Sequence, residues 1–322
     1  MQEFELISHF FKGRGVARKD VSLSIGDDAA LINVPENCQL AVTTDTLVEG
    51  VHFFKDIDPK ALGYRALAVN LSDLAAMGAE PAWISVALTL PNAETRWLEQ
   101  FTQGMHEIAE YYNVQIVGGD TTQGPLTISI CAKGFVPNGC ALTRGGAKNG
   151  DWVFVTGSLG DAGLAIDSKY GKVSLTEQQF ANANKAFDYP TPQVAAGQML
   201  RGKATSCIDI SDGLIADLGH ICQMSGVGAK LFAENIPLAA TIKDVLPLES
   251  ALNYALTYGD EYQLLFTLPE ERRTTVEMTL KQYGVALSCI GQINNNVGKV
   301  ELTLEGKPLT LTQCGFEHFN AE

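Results

Sequence analysis

The chain has 322 residues, enough for two ordinary domains with sizeable cores, and 46% of them are hydrophobic. Its formal charge of -14 repels phosphate at long range, which argues against non-specific binding to nucleic acid or to an anionic membrane. Small phosphorylated ligands stay open, because divalent cations can sit between carboxylates and phosphate oxygens.

No apolar tract is long enough to span a membrane. The start, Met1-Gln2-Glu3-Phe4-Glu5, lacks the basic and then apolar run of an export signal. The seven cysteines form no Cys-x-x-Cys pair. The expectation is a cytoplasmic protein with reduced thiols and no structural zinc.

In chain order, Glu3–Phe11 reads as a helix and Lys12–Lys19 as a basic, glycine-containing loop. A short strand from Leu23 runs into Gly26-Asp27-Asp28, and a second, from Leu40, ends in Thr43-Thr44-Asp45. Leu67, Leu71 and Leu74 repeat at helical spacing before Gly78 and Pro81 stop the run. Asn70 and Asp73 share a face of that helix. Trp83–Leu90 is a strand and Glu94–Tyr112 an amphipathic helix. Val114–Val117 is a strand ending in Gly118-Gly119-Asp120-Thr121, and Leu126–Val136 is another.

Asn138–Gly150, apolar-poor and rich in glycine and basic residues, reads as a connection. It divides the chain into domains 1–138 and 150–322, with 139–149 between them. In the second domain Asp151–Thr156 is a strand, Gly157–Gly163 a glycine-rich turn into a helix, and Lys169–Gln193 helical or irregular. Ser206–Gly213 is a strand-to-helix junction and Leu214–Ser225 the helix. Tyr262–Leu268 and Ala286–Ile293 are strands around the helix Glu270–Tyr283, and Val300–Leu311 closes as a hairpin. Two α/β halves without strict βαβ alternation make the fold class α+β.

Carboxylates recur beside glycine or hydroxyl residues at strand ends: Asp27, Asp28, Asp45, Asp120, Asp209 and Asp212, with Asp73 from a helix. Each alone could cap a turn or helix. Together they suggest hard oxygen ligands for Mg²⁺ or Ca²⁺. Along a strand, Thr43 and Asp45 point to one face and Thr44 to the other. Free N–H groups at Gly157–Gly163 could attract an anion, or the turn could be purely structural. Gly118-Gly119 permits close backbone approach to a ligand. Arg144 is a candidate phosphate or nucleobase contact, or a solvated loop arginine. Ser211 could N-cap the helix that follows it, and His52 could be an acid, a base or a ligand contact. No Ser-His-Asp or Cys-His set stands out, so no covalent nucleophile and no acid/base catalytic residue is named.

Five segments in order, Gly26-Asp-Asp-Ala-Ala, Thr43-Thr-Asp-Thr, Asn70-Leu-Ser-Asp-Leu-Ala-Ala-Met-Gly-Ala-Glu-Pro, Gly118-Gly-Asp-Thr-Thr and Ile208-Asp-Ile-Ser-Asp-Gly-Leu, resemble the thiamine-monophosphate kinases. These belong to the wider aminoimidazole ribonucleotide synthetase-like superfamily. The resemblance implies two α/β domains of that type and a homodimer in which N-terminal sheets pack together. It also implies ATP-dependent phosphorylation of thiamine monophosphate to thiamine diphosphate, with several Mg²⁺ ions and ATP as co-substrate.

The implied magnesium ligands are Asp28, Thr43, Thr44, Asp45, Asp73, Asp120, Asp209 and Asp212, so that Asp73 becomes the hub of a shared cluster. The implied ATP contacts are Gly119, Asp120, Arg144 and Ser211. The implied substrate contacts are His52, Asp260 and Phe316. Where the family shows Gly-Gly-Glu-Asp-Tyr-Glu, this chain has Tyr258-Gly-Asp-Glu-Tyr-Gln, which leaves Asp260 and Glu261 both open as the carboxylate facing substrate. Related synthetases that use a reactive N-terminal or C-terminal cysteine fit less well: the first cysteine is Cys38, and Cys314 is internal.

Overall fold

The computed structural model describes residues 3–309, which fall into two compact units. Unit 1 runs to Leu74 and resumes over Ala79–Gly139; unit 2 is Ala75–Gly78 with the chain from Cys140 onward.

Unit 1 contains α1 (Glu3–Phe10), β1 (Val21–Leu23), β2 (Leu31–Ile32), β3 (Cys38–Val48), α2 (Pro59–Ala76), β4 (Glu80–Leu90), α3 (Thr95–Tyr111), β5 (Gln115–Gln123) and β6 (Thr127–Pro137). Its main sheet has the order β3-β6-β4-β5, antiparallel except for the parallel β4–β5 pair. The period of two is plain in β6: Ile128, Ile130, Ala132, Gly134 and Val136 are buried, and the residues that alternate with them are half-buried.

Helix α2 is apolar almost all round. Leu62, Leu67, Leu71 and Leu74 are each at most 1% exposed, worth about 2 kcal/mol apiece. In α3 the core face is Leu98, Phe101, Met105 and Ile108, at helical spacing. The two helices touch through their backbones. A Cβ at Gly63 would run into the Phe101 carbonyl, and one at Gly104 into the Lys60 carbonyl.

Two strands run further than their sequence suggests. Pairing with β4 continues through Gly118, Gly119 and Asp120 to Gln123, and β3 pairs with β6 as far as Val48. Asp45 and Asp120 therefore lie within strands rather than at strand ends. The edge strand β3 also leaves apolar side chains uncovered on the outer face, Leu40 at 47% and Val42 at 56% exposure. The basic loop is partly structural: Arg18 forms a salt bridge with Asp20 at 2.7 Å and lies over the Trp83 ring.

Unit 2 contains β7 (Trp152–Thr156), α4 (Asp161–Lys169), α5 (Glu177–Asp188), α6 (Val194–Leu200), β8 (Ser206–Asp209), α7 (Leu214–Ser225), β9 (Gly228–Phe232), α8 (Ala240–Val245), α9 (Leu248–Thr257), β10 (Leu264–Leu268), α10 (Glu270–Gln282), β11 (Leu287–Asn294), β12 (Val300–Leu304) and β13 (Lys307–Pro308). Seven strands form one sheet in the order β13-β12-β9-β11-β7-β10-β8. Among the described residues of this sheet only β9 and β12 pair in parallel. The central strands β7 and β10 are buried on both faces, and the Phe154 and Phe266 rings stack at 5.6 Å.

The ambiguous stretch Lys169–Gln193 resolves at a capping box. The Thr176 hydroxyl accepts from Gln179 N–H, and the Gln179 side chain accepts from Thr176 N–H, which starts α5. The residues read as a connection are packed rather than loose. Leu142 and Ala147 are buried, and the N–H groups of Gly146 and Ala147 both donate to Ser225 Oγ at 3.1 Å.

Candidate active site

In unit 1 the Thr-Thr-Asp triplet divides between the two faces of the sheet. Thr43 and Asp45 face α2: the Thr43 hydroxyl donates to Asp73, and the Asp45 N–H donates to Asn70 Oδ1 at 3.3 Å. The Asn70 amide is itself held by the Ala66 carbonyl at 3.1 Å. Burial, and then the charge of Asp73, push the Asp45 carboxyl up to about 7. Two carboxylates, a hydroxyl and an amide oxygen thus converge. Thr44 points the other way; burial raises the Cys131 thiol, but the Thr44 hydroxyl bonded to it, with the charge of Lys133, brings it below its ordinary range. Any part for Thr44 beside Asp73 falls to its main-chain atoms.

A cavity of about 690 Å³ in the same unit gathers Asp28, Gly119 and Asp120. It is walled by the end of α1, the Ile25–Ala30 loop and β5. Asp28 N–H donates to Asp27 Oδ1 at 2.9 Å, a local turn that leaves the Asp28 side chain exposed. The two glycines of β5 divide their roles. A Cβ at Gly119 would strike the Val86 carbonyl of β4, so that glycine serves strand packing, whereas Gly118 opens onto free space. His52, half-buried after β3, accepts the Val48 N–H on Nδ1 at 3.0 Å, which leaves the proton of its neutral ring on Nε2.

In unit 2, β8 ends at the buried Asp209. Ser211 is exposed and is not the N-cap of α7. The N-cap is Gly213, with no side-chain cap, and Asp217 in the first turn reaches its carboxylate back to the N–H groups of Asp212 (3.2 Å) and Gly213 (3.1 Å). Burial, followed by the charge of Asp212, pushes Asp217 up to about 7, while the Arg144 guanidinium acts in the opposite sense. Arg144, Ser211 and Asp212 therefore gather at one end of α7. The ligand atoms of Asp212, Asp217 and His220 lie within 4.8 Å of one another.

The segment after α9 docks on the same place. Asp260 N–H donates to the Ser211 carbonyl at 2.9 Å and Tyr262 N–H to the Ile210 carbonyl at 2.8 Å. Asp260 (φ 65°) and Tyr262 (φ 50°) hold left-handed backbone there, and the Tyr262 hydroxyl donates to Asp260 Oδ1 at 3.0 Å.

Glu261 points inward. It is 6% exposed and accepts the Gly160 N–H at 2.6 Å at the start of α4. The Gly160 N–H of the Gly157–Gly163 turn is thus met by the protein's own Glu261 carboxyl, and of the two readings open for the turn the structural one has an explanation. Of the acidic pair, Asp260 is the one left half-exposed. Tyr258, where the family has glycine, lies against Gly163 and donates its hydroxyl to Asp167 at 2.7 Å. Phe316 lies outside the described residues.

Residues 26–136 match the family model "AIR synthase related protein, N-terminal domain", and residues 148–303 match its C-terminal-domain counterpart. Thiamine-monophosphate kinase of Escherichia coli K12 is 47% identical over 326 residues, covering 98% of each chain. The chain belongs to the thiamine-monophosphate kinase family.

Solved members of the family agree with the fold. The crystal structure of thiamine-monophosphate kinase from Stenotrophomonas maltophilia K279a superposes with a TM-score of 0.84 at 39% identity, covering 91% of this chain and 93% of that one. AaThiL complexed with AMPPCP and TMP gives a TM-score of 0.77 at 32% identity, covering 92% and 93%.

Two features of the site were missed in the sequence. The reach of Asp217 back to the Asp212 and Gly213 N–H groups had a signal, an acid in the first turn of a helix. The inward turn of Glu261 had none, because its partner lies 101 residues away.

Proposed function

We propose that the protein transfers the γ-phosphoryl group of ATP to thiamine monophosphate, giving thiamine diphosphate. The observation that carries this is the face-to-face pair Asp45 and Asp73, with Thr43 and Asn70 beside it. A divalent cation would relieve the repulsion between the two carboxylates, and an all-oxygen donor set suits Mg²⁺. Asp28, Thr43, Thr44, Asp45, Asp73 and Asp120 in unit 1, and Asp209 and Asp212 in unit 2, would hold Mg²⁺. When bound, it supplies charge neutralisation and a template for two polyanions in an acidic protein.

The chain's own groups orient the reactants. Gly119 and Asp120 border the unit 1 cavity, and Arg144 and Ser211 present a cation and a hydroxyl to nucleotide phosphates at the start of α7. Asp260 offers a carboxylate to the thiazolium cation, held in aim by the Tyr262 hydroxyl. His52 Nε2–H can donate to a substrate oxygen, and Phe316 is the aromatic partner the family resemblance implies.

The attacking phosphate oxygen of thiamine monophosphate, with a second pKa near ~6, is largely ionised at neutral pH, so no strong general base is required. Transfer is direct, without a phosphoenzyme, and proceeds with inversion at a chiral γ-phosphorus; net retention would sink that mechanism. The exposed Leu40 and Val42 of β3 support a homodimer packed through the outer face of the unit 1 sheet.

The deciding experiment incubates the protein with ATP, Mg²⁺ and thiamine monophosphate and follows the new diphosphate by ³¹P NMR. Tight ATP binding without product would overturn the catalytic reading in favour of a nucleotide sensor.

A further inference from the structure

The walls of the unit 1 cavity carry three carboxylates, Asp27, Asp28 and Asp120. Among the described residues lining it there is one basic side chain, Lys12. Its backbone is fixed just beyond α1, where the N–H groups of Phe11 and Lys12 both donate to the Ile7 carbonyl, at 3.1 and 3.0 Å. From that anchor the side chain extends over the Gly26 backbone. A Cβ at Gly26 would meet Lys12 Nζ at 2.8 Å and Cε at 3.2 Å. Gly26 (φ 128°) thus leaves open the space that the lysine occupies. Lys12 forms no salt bridge with a described residue, so its ammonium is not committed to the neighbouring acids.

We infer that Lys12 is a direct phosphate contact of the nucleotide in the unit 1 cavity, reaching the chain of phosphates from the Gly26 side. The inference rests on the proposed ATP-dependent function. A lysine at the end of a four-carbon stem acts on phosphate as a compact point charge. Its flexible stem and three rotatable donors let it adjust to the position of a phosphate group. In an acidic cavity it also gives the incoming polyanion an attractive partner that belongs to the protein.

The competing explanation is that Lys12 only offsets its acidic neighbours. The two differ in what its removal does. A phosphate contact, once lost, weakens binding of nucleotides that carry β- and γ-phosphates. A charge offset, once lost, strengthens divalent-cation binding and leaves nucleotide affinity alone.

The test compares the wild-type protein with Lys12→Ala, Lys12→Gln and Lys12→Arg by titration calorimetry, using AMPPCP with Mg²⁺, AMP, and Mg²⁺ alone. The expected result is about a tenfold loss of AMPPCP affinity in Lys12→Ala and Lys12→Gln, with less than a threefold change for AMP. Lys12→Arg should restore at least half of the loss on a logarithmic scale. AMPPCP affinity unchanged within twofold overturns the inference, as does equal weakening in all three variants together with a lowered melting temperature. Thiamine diphosphate formation by the wild type is followed alongside. If the wild type neither binds AMPPCP nor turns over, the proposed function fails; if it does both and Lys12→Ala matches it, only the assignment of Lys12 fails.

Discussion

Replacing Glu261 by Gln should change how stability depends on pH, because this carboxyl is buried where it cannot easily ionise. Its burial, with the charges of Asp161 and Asp260, pushes it from an ordinary 4.5 up to about 8; the N–H groups of Gly160 and Ala162 act in the opposite sense. In the unfolded chain Glu261 loses its proton near pH 4.5, whereas in the folded chain it keeps the proton until about pH 8. Between those values the folded state binds more protons, so stability falls as pH rises. The contribution is fully present below pH 4.5 and gone above pH 8. The slope from this one group is at most about 1.4 kcal/mol per pH unit, or about 5 kcal/mol over the window. Glutamine does not titrate and keeps a carbonyl for Gly160 N–H. Calorimetric melting of wild type and Glu261→Gln from pH 5 to pH 9, at constant ionic strength, reads the difference directly. The variant should gain on the wild type with each step toward pH 8 and then hold level. Parallel curves across that range would refute the reasoning.

Gly63→Ala should lower stability by about 2–3 kcal/mol, the scale of overpacking a rigid contact, because the new methyl meets the Phe101 carbonyl; chemical denaturation measures it. Asp73→Asn should lower turnover about 100-fold or more while leaving the melting temperature unchanged or raised, since it removes the repulsion against Asp45. Near-normal rates at saturating Mg²⁺ would count against Asp73 as a ligand. Asp260→Ala should raise KM for thiamine monophosphate about tenfold without moving KM for ATP, as initial-rate kinetics with each substrate varied will show.

Local periodicity carried much of the site. The spacing of Leu67, Leu71 and Leu74 placed the core face of α2, and the same geometry set Asn70 and Asp73 side by side. The alternation along β3 separated Thr43 and Asp45 from Thr44. Strand length was harder to read, because pairing partners rather than the residues themselves decide where a strand stops. Asp120 reads as a strand-end residue, and only its pairing with Ala87 of β4 carries the strand past it. Contacts between distant segments left no local trace: the Gly63–Gly104 crossing joins two helices that each look ordinary, and Glu261 caps a helix about a hundred residues earlier in the chain. Tyr258 stood out only as a departure from the family, and its reason, the hydroxyl bond to Asp167, requires the fold.

The docking of residues 259–262 onto Ser211 has a thermodynamic side. The residue proposed to touch nucleotide and the residue proposed to touch thiamine monophosphate are joined by a main-chain hydrogen bond, and Gly259 is packed so tightly on the Ser211 carbonyl that a methyl would not fit. Displacing either segment displaces the other. With both contacts made as proposed, a co-substrate that shifted this backbone would be felt at the other's site, and by reciprocity each would alter the affinity for the other by the same factor. The reversed acidic pair fits this design, because main-chain bonds, rather than side-chain length, set where the shorter Asp260 carboxylate stands.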